Sequence, residues 1–178
     1  LHDKCCKSEF YYFSILKRNS AIDGKGFECY TKKILTMKNL LLSAAIGDIA
    51  GMPYEFENRT KNYNAVDLLL SSNTYTDDTV CTFACAEALI KNLNMAENLW
   101  KRCRADFYRG FGGRFARWLI AKDIQPSYYS CGNGSAMRVS SAGFMAKDVK
   151  ECIELATQTA MPTHNHPEGV KGAVATAL

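Results

Sequence analysis

The sequence lacks several features that would assign it to a common class. No apolar run approaches the roughly 20 residues that a membrane-spanning helix needs, and no charged start, apolar centre and small-residue cleavage site mark a signal peptide. The eight cysteines include no C-x-x-C pair. Period-two alternation of apolar residues is absent from 37–178. We therefore predict an all-α, cytoplasmic protein with reduced cysteines and no membrane partner.

An excess of one charge is also missing from most of the chain. Residues 1–36 hold seven Lys/Arg against four Asp/Glu, whereas residues 37–178 hold 15 against 14. A basic run from Lys101 to Arg117 could contact nucleic acid, but its members spread around more than one helix face. A solvated surface is the favoured interpretation, and no nucleic-acid partner is expected.

The chain divides in character at Met37. Residues 1–36 show no clear period, and we interpret them as a poorly structured leader or a mispredicted extension, with a genuine N-terminal arm as the alternative. Residues 56–75 suggest a long loop carrying a short helix. Helical patterns predict elements over about 37–49, 78–91, 95–108, 115–120, 135–146, 148–160 and 167–178. The last ends at Leu178 without a cap, which predicts a domain incomplete at its C-terminus.

The stretch from Tyr75 to Thr79 places two adjacent carboxylates, Asp77 and Asp78, between threonine hydroxyls at the start of a helix. Neighbouring carboxylates repel unless a cation lies between them or one keeps its proton. An all-oxygen set favours Mg²⁺, Mn²⁺ or Ca²⁺ over Zn²⁺. The simpler interpretation is an acidic helix N-terminus capped by Thr76 or Asp77.

Three further segments carry polar groups that suit a site, although each has a structural explanation. The first contains Asp48, which could satisfy backbone N–H groups, and Glu55, which could be solvated. The second is a glycine-rich loop before a predicted helix, a natural place for an anion, at residues Gly132, Asn133, Gly134, Ser135, Ala136, Met137 and Arg138. The third holds His164 and His166, which a helix cap and a surface position would also explain.

Two weaker alternatives involve cysteine. Cys81 and Cys85 lie one helical turn apart and could join the two histidines around Zn²⁺, but the spacing resembles no paired-ligand site. Cys131 could act as a nucleophile, although no base lies near it in the sequence.

Taken in order, the four segments resemble the ADP-ribosylglycohydrolase family. The resemblance covers about residues 37–178 and rests on these motifs: Gly47-Asp48-x-x-Gly51-x-Pro53-x-Glu55, Tyr75-Thr76-Asp77-Asp78-Thr79, Gly132-Asn133-Gly134-Ser135-Ala136-Met137-Arg138 and Thr163-His164-x-His166-Pro167-Glu168-Gly169. It implies a compact, orthogonal all-α domain, of which 37–178 is the N-terminal portion. It also implies a hydrolase that cleaves the glycosidic bond between ADP-ribose and a protein side chain or small molecule.

The resemblance also assigns roles to residues. It implies two Mg²⁺ or Mn²⁺ ions in the full-length protein, with Thr76, Asp77 and Asp78 as metal ligands. Asp77 or Asp78 would activate the water, and Glu55 would lie near the metals as a third catalytic acid. Segments lining the ADP-ribose pocket would contribute the substrate-binding residues Asp48, Gly132, Asn133, Gly134, Ser135, Met137 and His164.

One departure from the family pattern affects the metal site. The family carries a further ligand motif near its C-terminus, glycines followed by Asp-Thr-Asp, and nothing in this sequence matches it. Only about half of the metal shell is therefore expected here. The alternative function is a catalytically inactive fragment, or a module that binds ADP-ribose or another nucleotide.

Overall fold

A computed structural model describes residues 24–55, 67–68 and 70–178, with side chains from residue 35 onward. The chain forms two compact units, Leu1–Thr36 and Met37–Leu178, and the site lies in the second. No β-strand occurs in the described ranges, which confirms the all-α prediction. None of the helices in those ranges has the length and apolar character to cross a membrane.

Seven α-helices and two short 3₁₀ turns account for the regular structure of the described residues. The helices are α1 (Gly24–Gly51), α2 (Asp77–Lys91), α3 (Met95–Ala105), α4 (Gly113–Ile120), α5 (Ser140–Met145), α6 (Val149–Ala160) and α7 (Pro167–Ala177). The 3₁₀ turns are Met52–Tyr54 and Asn133–Ser135.

Local sequence explains where several helices begin and end. Asn94 and Asp148 cap α3 and α6 by accepting hydrogen bonds from the backbone N–H groups of Glu97 and Glu151. Helix α2 ends at Asn92, which takes the left-handed conformation with φ of 51°. These boundaries follow the predicted ones closely.

Two predicted elements were wrong in extent, and a third is not tested. Helix α1 begins at Gly24 rather than Met37, because no glycine or proline interrupts the chain between Gly26 and Gly47. Helix α3 ends at Ala105 rather than near Tyr108, since Asp106 leaves helical geometry. The short helix expected within 56–75 falls mostly outside the described residues.

The helix predicted over 135–146 is also shorter than expected. Its first part is the 3₁₀ turn Asn133–Ser135, and regular α-helix starts only at Ser140. Bonds of the tighter i to i+3 type join Ala136 N to Asn133 O (2.8 Å) and Val139 N to Ala136 O (3.3 Å). This compact winding leaves the side chains of Ser135 and Arg138 free to make tertiary hydrogen bonds, described below.

Two apolar clusters form the core of the second unit. One joins α2, α3 and α4 and includes the fully buried residues Cys85, Leu99, Cys103 and Leu119. The other joins α5, α6 and α7 through small side chains such as Ala142, Ala156, Ala160 and Ala173. Small residues permit close helix approach: a Cβ on Gly143 would lie 2.2 Å from the Ala177 carbonyl oxygen.

The candidate site is built from the starts of α2 and α7 and the loop before α5.

Candidate functional site

The start of α2 is capped from within the predicted acidic motif. The Thr76 side chain accepts a hydrogen bond from the backbone N–H of Asp78 (3.3 Å), and its backbone is extended as an N-cap requires. The backbone N–H of Asp77 donates to the Arg109 carbonyl (2.8 Å). Both aspartates therefore sit in the first helical turn, where the helix dipole favours negative charge.

Asp48 supplies a second cap to the same helix from the end of α1. Its Oδ2 accepts from Thr76 N (2.8 Å), Thr79 N (3.2 Å) and Thr79 Oγ1 (2.5 Å), and its Oδ1 accepts from Thr76 Oγ1 (2.6 Å). Four hydrogen bonds occupy nearly all the acceptor capacity of one carboxylate. Asp48 thus joins α1 to α2, as the structural interpretation predicts, and its contact with substrate stays a prediction.

Four acids meet at this point, namely Asp48, Glu55, Asp77 and Asp78, and the pKa values of Glu55, Asp77 and Asp78 are raised. Burial raises the pKa of Asp77 to about 7, and the charges of Asp78, Glu55 and Asp48 add to the effect. Burial and the Asp48 charge also raise the pKa of Asp78. The pKa of Glu55 is raised as well, first by the partial desolvation of its carboxyl group and then by the charges of Asp78 and Asp48. The predicted association of Glu55 with Asp77 and Asp78 is therefore present in the fold.

This acidic group has no cationic partner within the part of the chain that the structure describes. No Lys, Arg or His there forms an ion pair with any of the four acids. Asp77, Asp78 and the Thr76 hydroxyl offer a hard oxygen set that a divalent cation would neutralise. They make a partial shell only, because the described residues contain no group of three or more His, Cys, Asp or Glu side chains arranged to hold a metal.

The zinc alternative finds no support in the described residues. The thiol of Cys81 faces Cys103, with the sulfur atoms 3.8 Å apart, and Cys85 is fully buried in the same apolar cluster. His166 instead caps α7, where its Nδ1 accepts from the backbone N–H of Glu168 (3.0 Å).

One polar cluster beside the acidic group was not predicted. Arg109 donates from Nε to Asp106 Oδ1 (2.9 Å) and from Nη2 to the Tyr75 hydroxyl (2.7 Å), and that hydroxyl donates to Asp106 Oδ2 (2.8 Å). The guanidinium also lies over the Tyr75 ring, 3.7 Å from its centroid. Asp106 and Arg109 are three positions apart, but Tyr75 lies more than thirty positions before both, so no local spacing could have indicated that it joins them. The cluster fixes the chain just before Thr76.

The glycine-rich loop is the second part of the candidate site. Its Gly132 and Asn133 are exposed, whereas Ser135 is buried and donates from Oγ to the Gly169 carbonyl in α7 (2.7 Å). Gly169 also lets the segment before the loop pack closely on α7, since a Cβ there would lie 2.6 Å from the Ser130 carbonyl oxygen. Ser135 therefore anchors the loop, while Gly132 and Asn133 stay accessible to a ligand.

His164 lies directly beneath this loop. The imidazole is buried, and its Nδ1 lies 2.8 Å from Thr163 Oγ1. A Cβ on Gly134 would approach its Cε1 to 2.8 Å and its Nε2 to 2.9 Å, so only glycine fits there. Burial lowers the pKa of His164 to about 4, and the nearby charges of Arg138 and Arg114 add to the effect. The structure thus unites His164 with the loop predicted to line the same pocket.

A hydrogen bond connects the loop to the acidic helix. Thr82, on the second turn of α2, donates from Oγ1 to the Met137 carbonyl (3.2 Å). The Met137 side chain packs against the cluster around α2 to α4. The predicted loop residue Met137 therefore serves as the attachment of the loop to the helix that carries Asp77 and Asp78.

Most arginines of the basic run make internal contacts. Arg102 pairs with Glu87, and Arg104 donates to the Ala121 carbonyl (2.9 Å) while lying over the Trp100 ring. Arg114 donates to the carbonyl of Tyr128 and lies over the ring of that residue. These contacts explain the run structurally, as helix and loop connections.

The geometry can be compared with known proteins. A model of a protein family described as ADP-ribosylglycohydrolase matches residues 35–178. The chain belongs to the ADP-ribosylglycohydrolase family. All four predicted motifs lie inside the matched region, and the family assignment indicates a hydrolase of the ADP-ribosylglycohydrolase type.

Proposed function

We propose that the chain is a metal-dependent hydrolase that cleaves the glycosidic bond joining ADP-ribose to a protein side chain or small molecule. The observation that carries the proposal is the group of four acids without a cationic partner in the described residues, at the start of a helix that also anchors the glycine-rich loop. Thr76, Asp77 and Asp78 would hold Mg²⁺ or Mn²⁺ as part of a shell. Bound there, the cation would neutralise the carboxylates and polarise a ribose hydroxyl or the water.

The side chains divide the work of hydrolysis between them. Water attacks the anomeric carbon of the ribose as the bond from that carbon to the leaving nitrogen or oxygen breaks. The water proton passes to a carboxylate, and the leaving atom keeps the electron pair of the broken bond and takes up a proton from solvent. Asp77 would act as the base, since Asp78, Glu55 and Asp48 lie close enough for their charges to act on its carboxylate at the same site. Asp78 and Glu55 would stabilise the positive charge that develops on the sugar. The exposed Gly132 and Asn133, with His164 beneath them, would hold the ADP-ribose.

The test is release of ADP-ribose from an ADP-ribosylated protein, with Mg²⁺ or with a chelator. The wild-type chain should release ADP-ribose only with the metal, and the Asp77→Asn/Asp78→Asn variant should release none. Asp123→Asn is a matched control, because Asp123 is exposed on a distant loop. Equal release by wild type and the double variant, or undiminished release in chelator, would refute the proposal. Binding of ADP-ribose without release would instead favour a nucleotide-binding module.

A further inference from the structure

Residues 106–110 connect α3 to α4 without helical structure and lie against the start of α2. A backbone hydrogen bond joins the two, from the Asp77 N–H to the Arg109 carbonyl (2.8 Å). The first N–H groups of a helix have no partner within it, so this carbonyl satisfies a group that the helix leaves open. Gly110 follows with φ of 91°, which suits glycine, and a Cβ there would lie 3.9 Å from Asp77 Oδ1. Residues 109 and 110 therefore form one wall beside the Asp77 carboxylate.

The side chain of Arg109 fixes the segment that carries this carbonyl. Its Nη2 donates to the Tyr75 hydroxyl (2.7 Å) and its Nη1 to Thr74 Oγ1 (3.1 Å), two residues that directly precede the cap of α2. Its Nε donates to Asp106 Oδ1 (2.9 Å), and the Tyr75 hydroxyl donates to Asp106 Oδ2 (2.8 Å). We call these contacts the Arg109 clamp. Because hydrogen bonds depend on direction as well as distance, the clamp sets the orientation of the segment against α2.

Apolar packing alone would not give the same orientation. Phe107 and Phe111 pack against the cluster of α2, α3 and α4 and hold the segment near the core. The hydrophobic effect is non-directional, however, so a small rotation of the segment would keep both rings packed and still move the Arg109 carbonyl away from Asp77. The clamp removes that freedom.

We infer that Arg109 is a positioning residue for Asp77, acting through its own carbonyl group. The clamp holds that carbonyl on the Asp77 N–H and keeps Gly110 beside the carboxylate, so the first turn of α2 forms in one place. The consequence for catalysis rests on the proposed function, in which Asp77 is a metal ligand and the base. A displacement of about 1 Å in such a group can cost about 100-fold in rate.

Hydrogen exchange at single amides tests the positioning without ligand or activity. Arg109→Lys keeps the charge but lacks the planar fork, and the Asp77 amide should exchange about tenfold faster in it than in wild type. The Thr79 amide is the reference, since it lies in the same helical turn but donates to Asp48 (3.2 Å), and its rate should not change. An unchanged Asp77 amide, or equal acceleration at both amides, would overturn the inference.

A second variant removes one atom of the clamp. Tyr75→Phe keeps the ring under the guanidinium, whose centre lies 3.7 Å from the ring centroid, but it lacks the hydroxyl that joins Arg109 to Asp106. It should also accelerate exchange at the Asp77 amide, by a smaller factor than Arg109→Lys. If the lysine variant does not fold, Tyr75→Phe decides, and a wild-type exchange rate in it would contradict the inference.

Arg104→Lys is the matched control. Arg104 also donates to an oxygen of the chain, the Ala121 carbonyl (2.9 Å), and lies over an aromatic ring, 4.1 Å from the centroid of Trp100. Neither partner belongs to α2 or to the segment before it. The control should therefore leave the Asp77 amide at its wild-type rate, and acceleration there would show that the effect is not specific to the clamp and overturn the inference.

A metal arm connects the positioning to the proposed function. Calorimetry with Mn²⁺ should give an approximately tenfold weaker affinity in Arg109→Lys and no change in Arg104→Lys. In release of ADP-ribose, Arg109→Lys should lower kcat and leave KM unchanged, because the loop that would hold ADP-ribose is intact. Wild-type chain that binds no Mn²⁺ would count against the proposed function, while the exchange rates would still decide the positioning. Unchanged affinity and kcat despite faster exchange at Asp77 would show that the clamp does not position the carboxylate.

Discussion

The two halves of the candidate site solve the problem of buried charge in opposite ways. At the start of α2, four acids approach one another with no cation among the described residues, and the pKa values of Glu55, Asp77 and Asp78 are raised. In the loop before α5, the buried cation Arg138 is surrounded by neutral oxygens, and the nearby imidazole is kept uncharged. The first half carries mutual repulsion that, on the proposed function, a bound cation would relieve, whereas the second is held by hydrogen bonds within the chain. The comparison suggests that the acids await a cation while the loop is preformed for a ligand.

The largest effect should come from neutralising the acidic half. Asp77→Asn/Asp78→Asn should lower the rate of ADP-ribose release by more than about 100-fold, because both the base and the metal ligands are lost. In chelator, however, the same variant should have a higher melting temperature than wild type, since the repulsion is removed. A melting temperature that fell in chelator would show that the carboxylates are already compensated.

The stability of the glycine-rich loop should be sensitive to a single methyl group added at Gly134. Gly134→Ala would place a Cβ 2.8 Å from His164 Cε1, and the displacement should lower the free energy of unfolding by about 1–3 kcal/mol and weaken ADP-ribose binding. Gly172→Ala is the matched control, because it lies on α7 with open space around it. That control should be neutral or stabilise by up to about 1 kcal/mol. Equal stability of the two variants in chemical denaturation would contradict the contact.

The pH dependence should separate the two halves further. The pKa of Asp77 is raised from 3.8 to about 7, so the folded chain holds a proton there that the unfolded chain has lost. The lowered pKa of His164 acts in the opposite direction over the same range, so the contribution of Asp77 is measured as the difference between wild type and Asp77→Asn. In chelator, the stability of wild type relative to Asp77→Asn should decrease as the pH rises from about 4 to about 7 and level off above that, and Mg²⁺ should offset the decrease at high pH. Melting curves of both proteins across the range provide the measurement, and a difference that rises with pH would refute the assignment.

The smallest predicted effect tests the connection between the halves. Thr82→Val keeps the side-chain shape but removes the hydrogen bond to the Met137 carbonyl, and it should cost about 1 kcal/mol of unfolding free energy. If the halves cooperate through this bond, the variant should also reduce catalysis more than it reduces ADP-ribose binding. Equal losses in both would indicate that the bond is only structural.

The sequence predicted the composition of each half better than its internal contacts. Asp77 and Asp78 were found because helix caps are local, and the loop was found because its glycines are adjacent. The Tyr75, Asp106 and Arg109 cluster was missed, since only the packing of distant segments brings Tyr75 to the neighbouring pair Asp106 and Arg109. The helix over 135–146 was predicted too long because nothing local shows that Ser135 would bond to Gly169.

The four bonds received by Asp48 have a consequence for genetics. A screen for inactive variants would return Asp48 together with Asp77 and Asp78, since losing its carboxylate would release the threonines that position them. The phenotypes should nevertheless differ in kind. Variants at Asp48 should be sensitive to growth temperature and rescued by stabilising substitutions elsewhere, whereas variants at Asp77 and Asp78 should resist such suppression at every temperature.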